Sequence, residues 1–157
     1  MKFQLVQYAK LNARQQEAYN FQKVSGVLAD YGFTTIRLSD DWQSADFIAQ
    51  HIDGQQFLKV QLKGRCTLAK KYMGKDLHIC FHDRGAWYLA PHDELLEWAQ
   101  QNMNITNTES WNTAGLYSFP CLSAALKQHL ESYRLGGAES SVPPEDRAVE
   151  NGSQSGT

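Results

Sequence analysis

The sequence predicts a mixed α/β (α+β) domain in which an N-terminal helix precedes a sheet of about five strands flanked by further helices. Three features predict it: apolar residues at helical spacing near the N-terminus, a series of β-rich segments in the middle, and a hairpin signal at Asp53-Gly54. The chain has 157 residues, of which 42% are hydrophobic. This size and composition fit one ordinary domain with one core.

The first helix is predicted over residues 12–31. Asn12 is a preferred residue at a helix N-cap, and Gly32 is typical of the position just after a helix end. Val24 and Leu28 lie one turn apart and mark the stripe that we expect to be buried.

The other elements follow from turn residues and local patterning. Segments rich in β-branched and aromatic residues predict five strands, at 32–38, 44–52, 56–63, 76–82 and 86–90. Residues 64–75 are predicted to form a basic loop, and 103–119 a long polar connection. Two more helices are expected, one opened by Pro91 and running to residue 102, the other over 120–133.

The C-terminal segment has a different composition from the rest of the chain. Residues 135–157 are rich in Gly, Ser, Pro and acidic residues, which predicts a disordered acidic tail after a single domain over 1–134. The net charge of the chain is −2, whereas residues 135–157 alone carry a net −3, which leaves +1 for residues 1–134. The predicted domain is therefore close to neutral or slightly basic, which excludes a globally basic nucleic-acid binder but leaves room for a local basic patch.

Several classes of protein are disfavoured. The apolar runs are too short to cross a bilayer, and the N-terminus lacks the apolar region of a signal peptide, so no membrane association is expected. Cys66, Cys80 and Cys121 form neither a disulfide framework nor a zinc-binding pattern. These features together predict a cytoplasmic protein.

The hairpin signal predicts which side chains face each other. With a two-residue turn at Asp53-Gly54, Asp46 lies directly opposite Gln61, and Lys63 follows on the same face. These three residues are therefore predicted to converge at the end of the hairpin remote from the turn. The other face is expected to meet the core because it is wholly apolar: Ala45, Phe47, Ala49, Leu58, Val60 and Leu62.

Glu17 is unusual for its place on the first helix. It precedes Phe21 by four residues and is in line with the stripe that we expect to be buried. A carboxylate on that face must find a partner or a metal ion, since an unpaired buried charge is costly. The alternative is that Glu17, near the start of the helix, reaches solvent.

A helical acid followed by an Asp on one hairpin strand and Gln-Leu-Lys on the next resembles the PD-(D/E)XK nuclease superfamily, which has the restriction-endonuclease-like fold. The resemblance covers roughly residues 12–90, and its Gln-x-Lys variant is similar to that of group I intron-encoded homing endonucleases and uncharacterised bacterial relatives. The chain departs from the pattern at Ala45, which replaces a proline, and at Gln61, which replaces the usual acid. The matching residues are Ala45-Asp46, Gln61-Leu62-Lys63 and Glu17.

The resemblance implies a metal-dependent endonuclease that hydrolyses DNA phosphodiester bonds. It implies Mg²⁺ as the cofactor, with Mn²⁺ as a substitute, held by Asp46, by the amide oxygen of Gln61 and by Glu17, with a main-chain carbonyl near Leu62 as a further ligand. Lys63 would hold the nucleophilic water and offset the charge that develops on the phosphate. The catalytic residues implied are therefore Asp46, Gln61, Lys63 and Glu17.

A basic segment adjoins the predicted site, and Asp76 is the first acid after it. The expected partner is nucleic acid, in particular double-stranded DNA, because these side chains could follow a phosphate backbone. A generic solvated loop is the alternative. A double-strand cutter needs two active sites, which favours a homodimer or a higher homo-oligomer. The predicted nucleic-acid-binding residues are Lys59, Arg65, Lys70, Lys71 and Lys75.

Two other functions stay open at this level. One is a nuclease-fold DNA-binding module that has lost catalysis, which the neutral Gln61 would explain. The other is a protein-interaction module in which Asp46 and Lys63 form only a solvated cross-strand ion pair.

Overall fold

The computed structural model describes residues 1–136, the side chains of Asp41 and Trp42 excepted. The helices in this part of the chain are α1 (Ala13–Asp30), α2 (His92–Asn102) and α3 (Ala124–Leu130). Short 3₁₀ turns lie at Tyr8–Lys10, Lys70–Tyr72 and Glu131–Tyr133, and a π turn lies at Ser110–Ala114. The strands are β1 (Phe33–Trp42), β2 (Ala45–His51), β3 (Phe57–Lys63), β4 (Thr67–Ala69), β5 (Leu77–Asp83), β6 (Ala86–Pro91), β7 (Leu116–Ser118) and β8 (Arg134–Leu135).

The main sheet is mixed and has six strands in the order β1-β2-β3-β5-β6-β8. β3 and β5 pair in parallel, whereas the other neighbours in this sheet are antiparallel. β4 and β7 form a separate antiparallel pair. The predicted mixed α+β architecture with the N-terminal helix first is confirmed, and β8 adds a sixth strand to the five predicted ones.

Helices cover both faces of the sheet. Val24 and Leu28 of α1 pack on one face against Phe47, Val60 and other residues of the central strands. The other face packs against α2 and α3 and the β4–β7 pair in the larger part of the core. The sheet is buried on both sides at its centre, as expected for strands that pair in parallel.

The predicted start and end of α1 are confirmed by the capping contacts. The Asn12 side chain accepts a hydrogen bond from the Gln15 backbone N–H, and the Gln15 side chain accepts one from the Asn12 N–H, which forms a capping box. Gly32 follows the helix with a φ of 81°, a conformation that favours glycine.

The hairpin register is as predicted, although its loop is longer. Phe47 pairs with Val60 and Ala49 with Leu58, which is the predicted alignment. The last backbone bond runs from the His51 N–H to the Gln56 carbonyl, so the loop has four residues instead of two. Asp53 organises this loop, because the backbone N–H of Gln55 donates to its carboxylate at 2.8 Å and contributes most to lowering the pKa of Asp53 to about 2.

Three predicted segments differ from the structure. The basic loop over 64–75 contains β4 and a 3₁₀ turn, and the polar connection over 103–119 contains its partner β7. These strands are only three residues long, too short for a period-two pattern to emerge. The last helix begins at Ala124, after the Ser123 N-cap, and not at residue 120.

The first strand is also longer than predicted, because a tight turn follows it. β1 continues to Trp42, which pairs with Ala45 after an irregularity in the register. Gln43 and Ser44 make this turn with φ values of 56° and 64°. Neither residue is one of the usual signals for positive φ, so the sequence does not predict the turn.

Most of the predicted tail lies outside the described residues. Leu135 forms β8 with Arg134 and pairs with Trp87 of β6, and the Gly136 N–H donates to the Tyr31 hydroxyl at 2.7 Å. In the part of the chain over 1–136, no helix is long and apolar enough to span a membrane.

Candidate active site

Asp46 and Gln61 meet at the end of the hairpin remote from its turn, as the register predicts. The Gln61 Nε2 donates to Asp46 Oδ2 at 2.7 Å, and the backbone N–H of Leu62 donates to the same oxygen at 2.7 Å. The Asp46 side chain thus takes the place of a main-chain acceptor just beyond the last paired residues, Phe47 and Val60. This contact holds the carboxylate at the edge of the core.

Lys63 lies on the same side of β3 as Gln61, and both line one cavity of about 250 Å³ together with Asp46. The Lys63 Nζ lies 5.7 Å from the centre of the Tyr72 ring, and the Lys71 Nζ lies 5.2 Å from it. We call Asp46, Gln61 and Lys63 the hairpin-end cluster. The sequence predicted its members, and the structure brings them together.

Glu17 reaches the rim of this cavity from α1. Its side chain is 54% exposed and forms an ion pair with Arg37 of β1, with 2.9 Å between Oε1 and Nη2. The carboxylate has therefore found a protein partner, and its negative charge is largely offset where it borders the hairpin-end cluster.

The predicted nucleic-acid-binding residues divide into two groups. Lys71 lines the cavity, and the Lys75 Nζ donates to the Ser44 Oγ at 3.0 Å, which ties the basic segment to the β1–β2 turn. Lys70 lies over the Trp111 ring at 5.4 Å, Arg65 is exposed beyond the end of β3, and Lys59 pairs with Ile48 further along the hairpin. The structure therefore brings Lys71 to the hairpin-end cluster and leaves the other four, Lys59, Arg65, Lys70 and Lys75, outside the cavity.

Two residues, one at the cavity and one beside Glu17, were not predicted from the sequence. Asp40 lines the cavity from the extension of β1, and Arg37 neutralises Glu17 from the same strand. Asp40 depends on β1 running past residue 38 and turning at Gln43 and Ser44, whereas Arg37 lies within the predicted strand and pairs with Phe47. The adjacent acids Asp40-Asp41 were the only available signal, and no pairing rule connected them with Asp46.

The donor set suits a hard cation with few protein ligands. Within residues 1–136 there is no group of three or more His, Cys, Asp or Glu side chains that could hold a metal ion. The cavity is nevertheless lined by Asp40, Asp46 and the amide of Gln61. Mg²⁺ is commonly bound by one or two carboxylates, with water and substrate phosphate completing its coordination, so these residues fit it.

A second polar cluster lies close by, but its central histidine is buried and hydrogen-bonded within the protein. His92 is fully buried at the start of α2. Its Nε2 accepts from the Ala69 backbone N–H at 3.1 Å, so the proton resides on Nδ1, which donates to Asp93 Oδ1 at 2.8 Å. Burial lowers the pKa of His92, although Asp93 opposes that shift. We call His92 and Asp93 the buried His92 cluster, and Tyr72 packs edge-on against the His92 ring at 5.4 Å.

Comparisons with known proteins find a likeness at the level of structure. No protein-family model matches the sequence, and no curated protein matches it significantly. Among solved structures, the chain is similar to Hjc, a Holliday junction resolvase from the archaeal hyperthermophile Archaeoglobus fulgidus. The sequence identity is 15% and the TM-score 0.40, and the match covers 48% of this chain and 72% of Hjc. A likeness of this size does not assign an activity.

Proposed function

We propose that this protein is a divalent-metal-dependent nuclease that hydrolyses phosphodiester bonds in DNA. The observation that carries the proposal is the hairpin-end cluster: a carboxylate, an amide and an ammonium group line one cavity at a strand end. Carboxylate and amide oxygens suit Mg²⁺ or Mn²⁺, and an ammonium group suits a phosphate. A further carboxylate, Asp40, lines the same cavity.

Each side chain has a role in this reaction. Asp46 would hold the ion, with Asp40 and the Gln61 oxygen as further ligands. Glu17 would contribute at the rim a negative charge that its ion pair with Arg37 reduces. When bound, the ion polarises the phosphate and lowers the pKa of a water. Lys63 stabilises the negative charge that builds up on the phosphate oxygens, and the Leu62 N–H keeps the Asp46 carboxylate in position.

The DNA would cross the cavity along the basic segment. Lys71 borders the cavity, and Arg65, Lys70 and Lys75 come from the segment between β3 and β5. Lysine and arginine side chains that contact phosphates release counterions, so affinity should fall steeply as salt rises. Cutting both strands of a duplex would require two copies of this site, which a homodimer would supply.

The decisive experiment is a supercoiled-plasmid nicking assay with Mg²⁺ or Mn²⁺. Wild type should nick the plasmid, whereas Asp46→Asn and Lys63→Ala should lose that activity while retaining the wild-type circular dichroism spectrum. Lys127→Ala is the matched control because Lys127 lies on α3, away from the hairpin. Equal nicking by wild type and both site variants would reject the proposed site.

One observation favours a second function, a DNA-binding module without catalysis. Gln61 is neutral and donates its amide N–H to Asp46, so the described contact uses Gln61 as a donor and not as a metal ligand. A folded wild-type protein that binds DNA in a salt-dependent way but neither binds Mn²⁺ nor nicks the plasmid would support this alternative. Gln61→Glu should then restore Mn²⁺ binding.

A further inference from the structure

A second cavity of about 460 Å³ lies between α1 and the ends of β3 and β5. β3 and β5 run parallel, so both reach this edge of the sheet at their carboxyl ends, where open α/β sheets commonly bind ligands. Its lining combines aromatic rings with cationic and polar groups. The lining residues used below are Tyr8, Tyr19, Lys23, Lys63, His82 and Trp87.

Lys63 lines this cavity as well as the one that holds Asp46. The two cavities therefore adjoin each other at the end of β3. A nucleic-acid strand that occupies the first cavity would pass next to the second.

The aromatic walls are held in place by contacts with each other. The Tyr8 hydroxyl accepts a hydrogen bond from the Asn20 Nδ2 at 2.8 Å, and the ring centres of Tyr8 and Tyr19 are 5.4 Å apart. On the sheet side, the rings of His82 and Trp87 are 5.0 Å apart and meet edge to face. These contacts position the rings before any ligand arrives, which reduces the entropy lost on binding.

The chemistry of the lining selects for a nucleotide. Planar rings offer stacking surfaces for a base of any sequence. The Lys23 Nζ lies over the Tyr19 ring, 5.3 Å from its centre, and places a positive charge on this wall for a phosphate. A purely apolar ligand would leave the two lysines unmatched, and a cavity of this size lies within the usual range for small organic ligands.

We propose that this cavity binds one unpaired nucleotide of the nucleic-acid strand that occupies the site, with its base against Tyr19 and Trp87 and its phosphate at Lys23. The identity of the strand rests on the proposed nuclease function, but binding itself requires no metal. The protein would therefore prefer DNA with an unpaired nucleotide over a fully paired duplex.

The test is fluorescence anisotropy in the presence of EDTA with two labelled duplexes, one fully paired and one with a single unpaired thymidine nucleotide. Wild type should bind the second duplex at least about fivefold more tightly, the lower end of what stacking on an aromatic side chain contributes. Equal affinities for the two duplexes would overturn the proposal.

Two variants locate the effect. Tyr19→Leu and Lys23→Gln should each lower the preference for the unpaired nucleotide to below about twofold and leave the affinity for the paired duplex nearly unchanged. Lys23 is exposed, so its replacement should not disturb folding. Tyr31→Leu is the matched control, since Tyr31 is a partly exposed tyrosine just after the end of the same helix. The proposed site for the base would be wrong if Tyr31→Leu lost the preference for the unpaired nucleotide. It would also be wrong if Lys23→Gln and Tyr19→Leu kept that preference.

Two further measurements distinguish this proposal from binding of free nucleotides and from the proposed nuclease activity. Thymidine 5′-monophosphate and the unlabelled duplex are compared as competitors of the labelled duplex. If both compete at equal concentrations, the cavity binds free nucleotides, and its assignment to a nucleic-acid strand is wrong. A wild-type protein that shows the preference but no nicking supports the cavity and contradicts the nuclease. Nicking without any preference contradicts the cavity alone.

Discussion

The hairpin-end cluster and the buried His92 cluster are both polar, and both contact Tyr72, yet their surroundings differ. Asp46, Gln61 and Lys63 are half-buried and line a cavity, whereas His92 is fully buried and has both ring nitrogens bonded within the protein. Buried polar groups that are fully satisfied hold a fold together, and groups that converge on solvent can act on a ligand. Polarity by itself therefore does not mark a functional site. The hydrogen-bond partners and the exposure of each group determine whether it can act on a ligand.

The sharpest test of this contrast concerns chemistry. Lys63→Ala should lower the nicking rate by at least about a hundredfold, because it removes a charge aimed at the reacting phosphate. The melting temperature should hardly change, since Lys63 is half-buried and the contact described for its Nζ is a weak cation–π contact with Tyr72. Rate and melting temperature should be measured on one preparation beside Lys127→Ala, and a large fall in melting temperature would show that Lys63 belongs to the fold and not to the site.

The opposite result is expected in the buried His92 cluster. His92→Ala removes the acceptor of the Ala69 N–H and leaves a cavity against Tyr72, which should lower the free energy of unfolding by about 2–4 kcal/mol. The nicking rate per folded molecule should stay within about threefold of wild type. Urea titration gives the stability, and a strong rate loss at unchanged stability would mean that His92 takes part in the reaction.

Acid should destabilise the fold through two histidines, the buried His92 and the partly buried His78. Burial lowers the pKa of His92 and of His78 below the usual value of 6.5, so between those lowered values and 6.5 the unfolded chain binds more protons than the folded one. The free energy of unfolding should thus fall as pH drops below about 6.5, by up to about 1.4 kcal/mol per pH unit for each histidine.

Urea titrations across this pH range should show a smaller slope in His92→Gln, with His78→Gln as the companion variant. A stability that stays constant from pH 7 to about pH 5 in wild type would contradict the cause given for both shifts.

The smallest effect concerns the Glu17–Arg37 ion pair at the rim. Arg37→Gln should change the free energy of unfolding by less than about 1 kcal/mol, because both side chains are substantially exposed. It should also strengthen Mn²⁺ binding, measured by calorimetry, since Glu17 would regain its full charge beside Asp46. Arg134→Gln is the control, as it removes a similarly exposed partner of Glu131. Equal Mn²⁺ affinity in Arg37→Gln and Arg134→Gln would mean that Glu17 plays no part in metal binding.

Much of this structure could be predicted where short-range rules apply. The capping box at Asn12, the glycine after α1 and the alternation along β2 and β3 depend only on neighbouring residues. The alignment of Asp46 with Gln61 followed from the turn signal and proved insensitive to loop length, because loops of two and of four residues keep the same pairing.

The sequence by itself determined the pairing of the hairpin and the residues of its polar face. Both follow from the alternation of side chains along a strand and from the position of one turn. The tertiary structure decided which other groups reach that face. Asp40 reaches it through the positive-φ turn at Gln43 and Ser44, and Tyr72 through the pairing of β4 with β7. The turn is local but uses residues that rarely adopt a positive φ, so no turn signal predicts it. The pairing of β4 with β7 joins segments far apart in the chain, and its free energy comes from burial that no local pattern records.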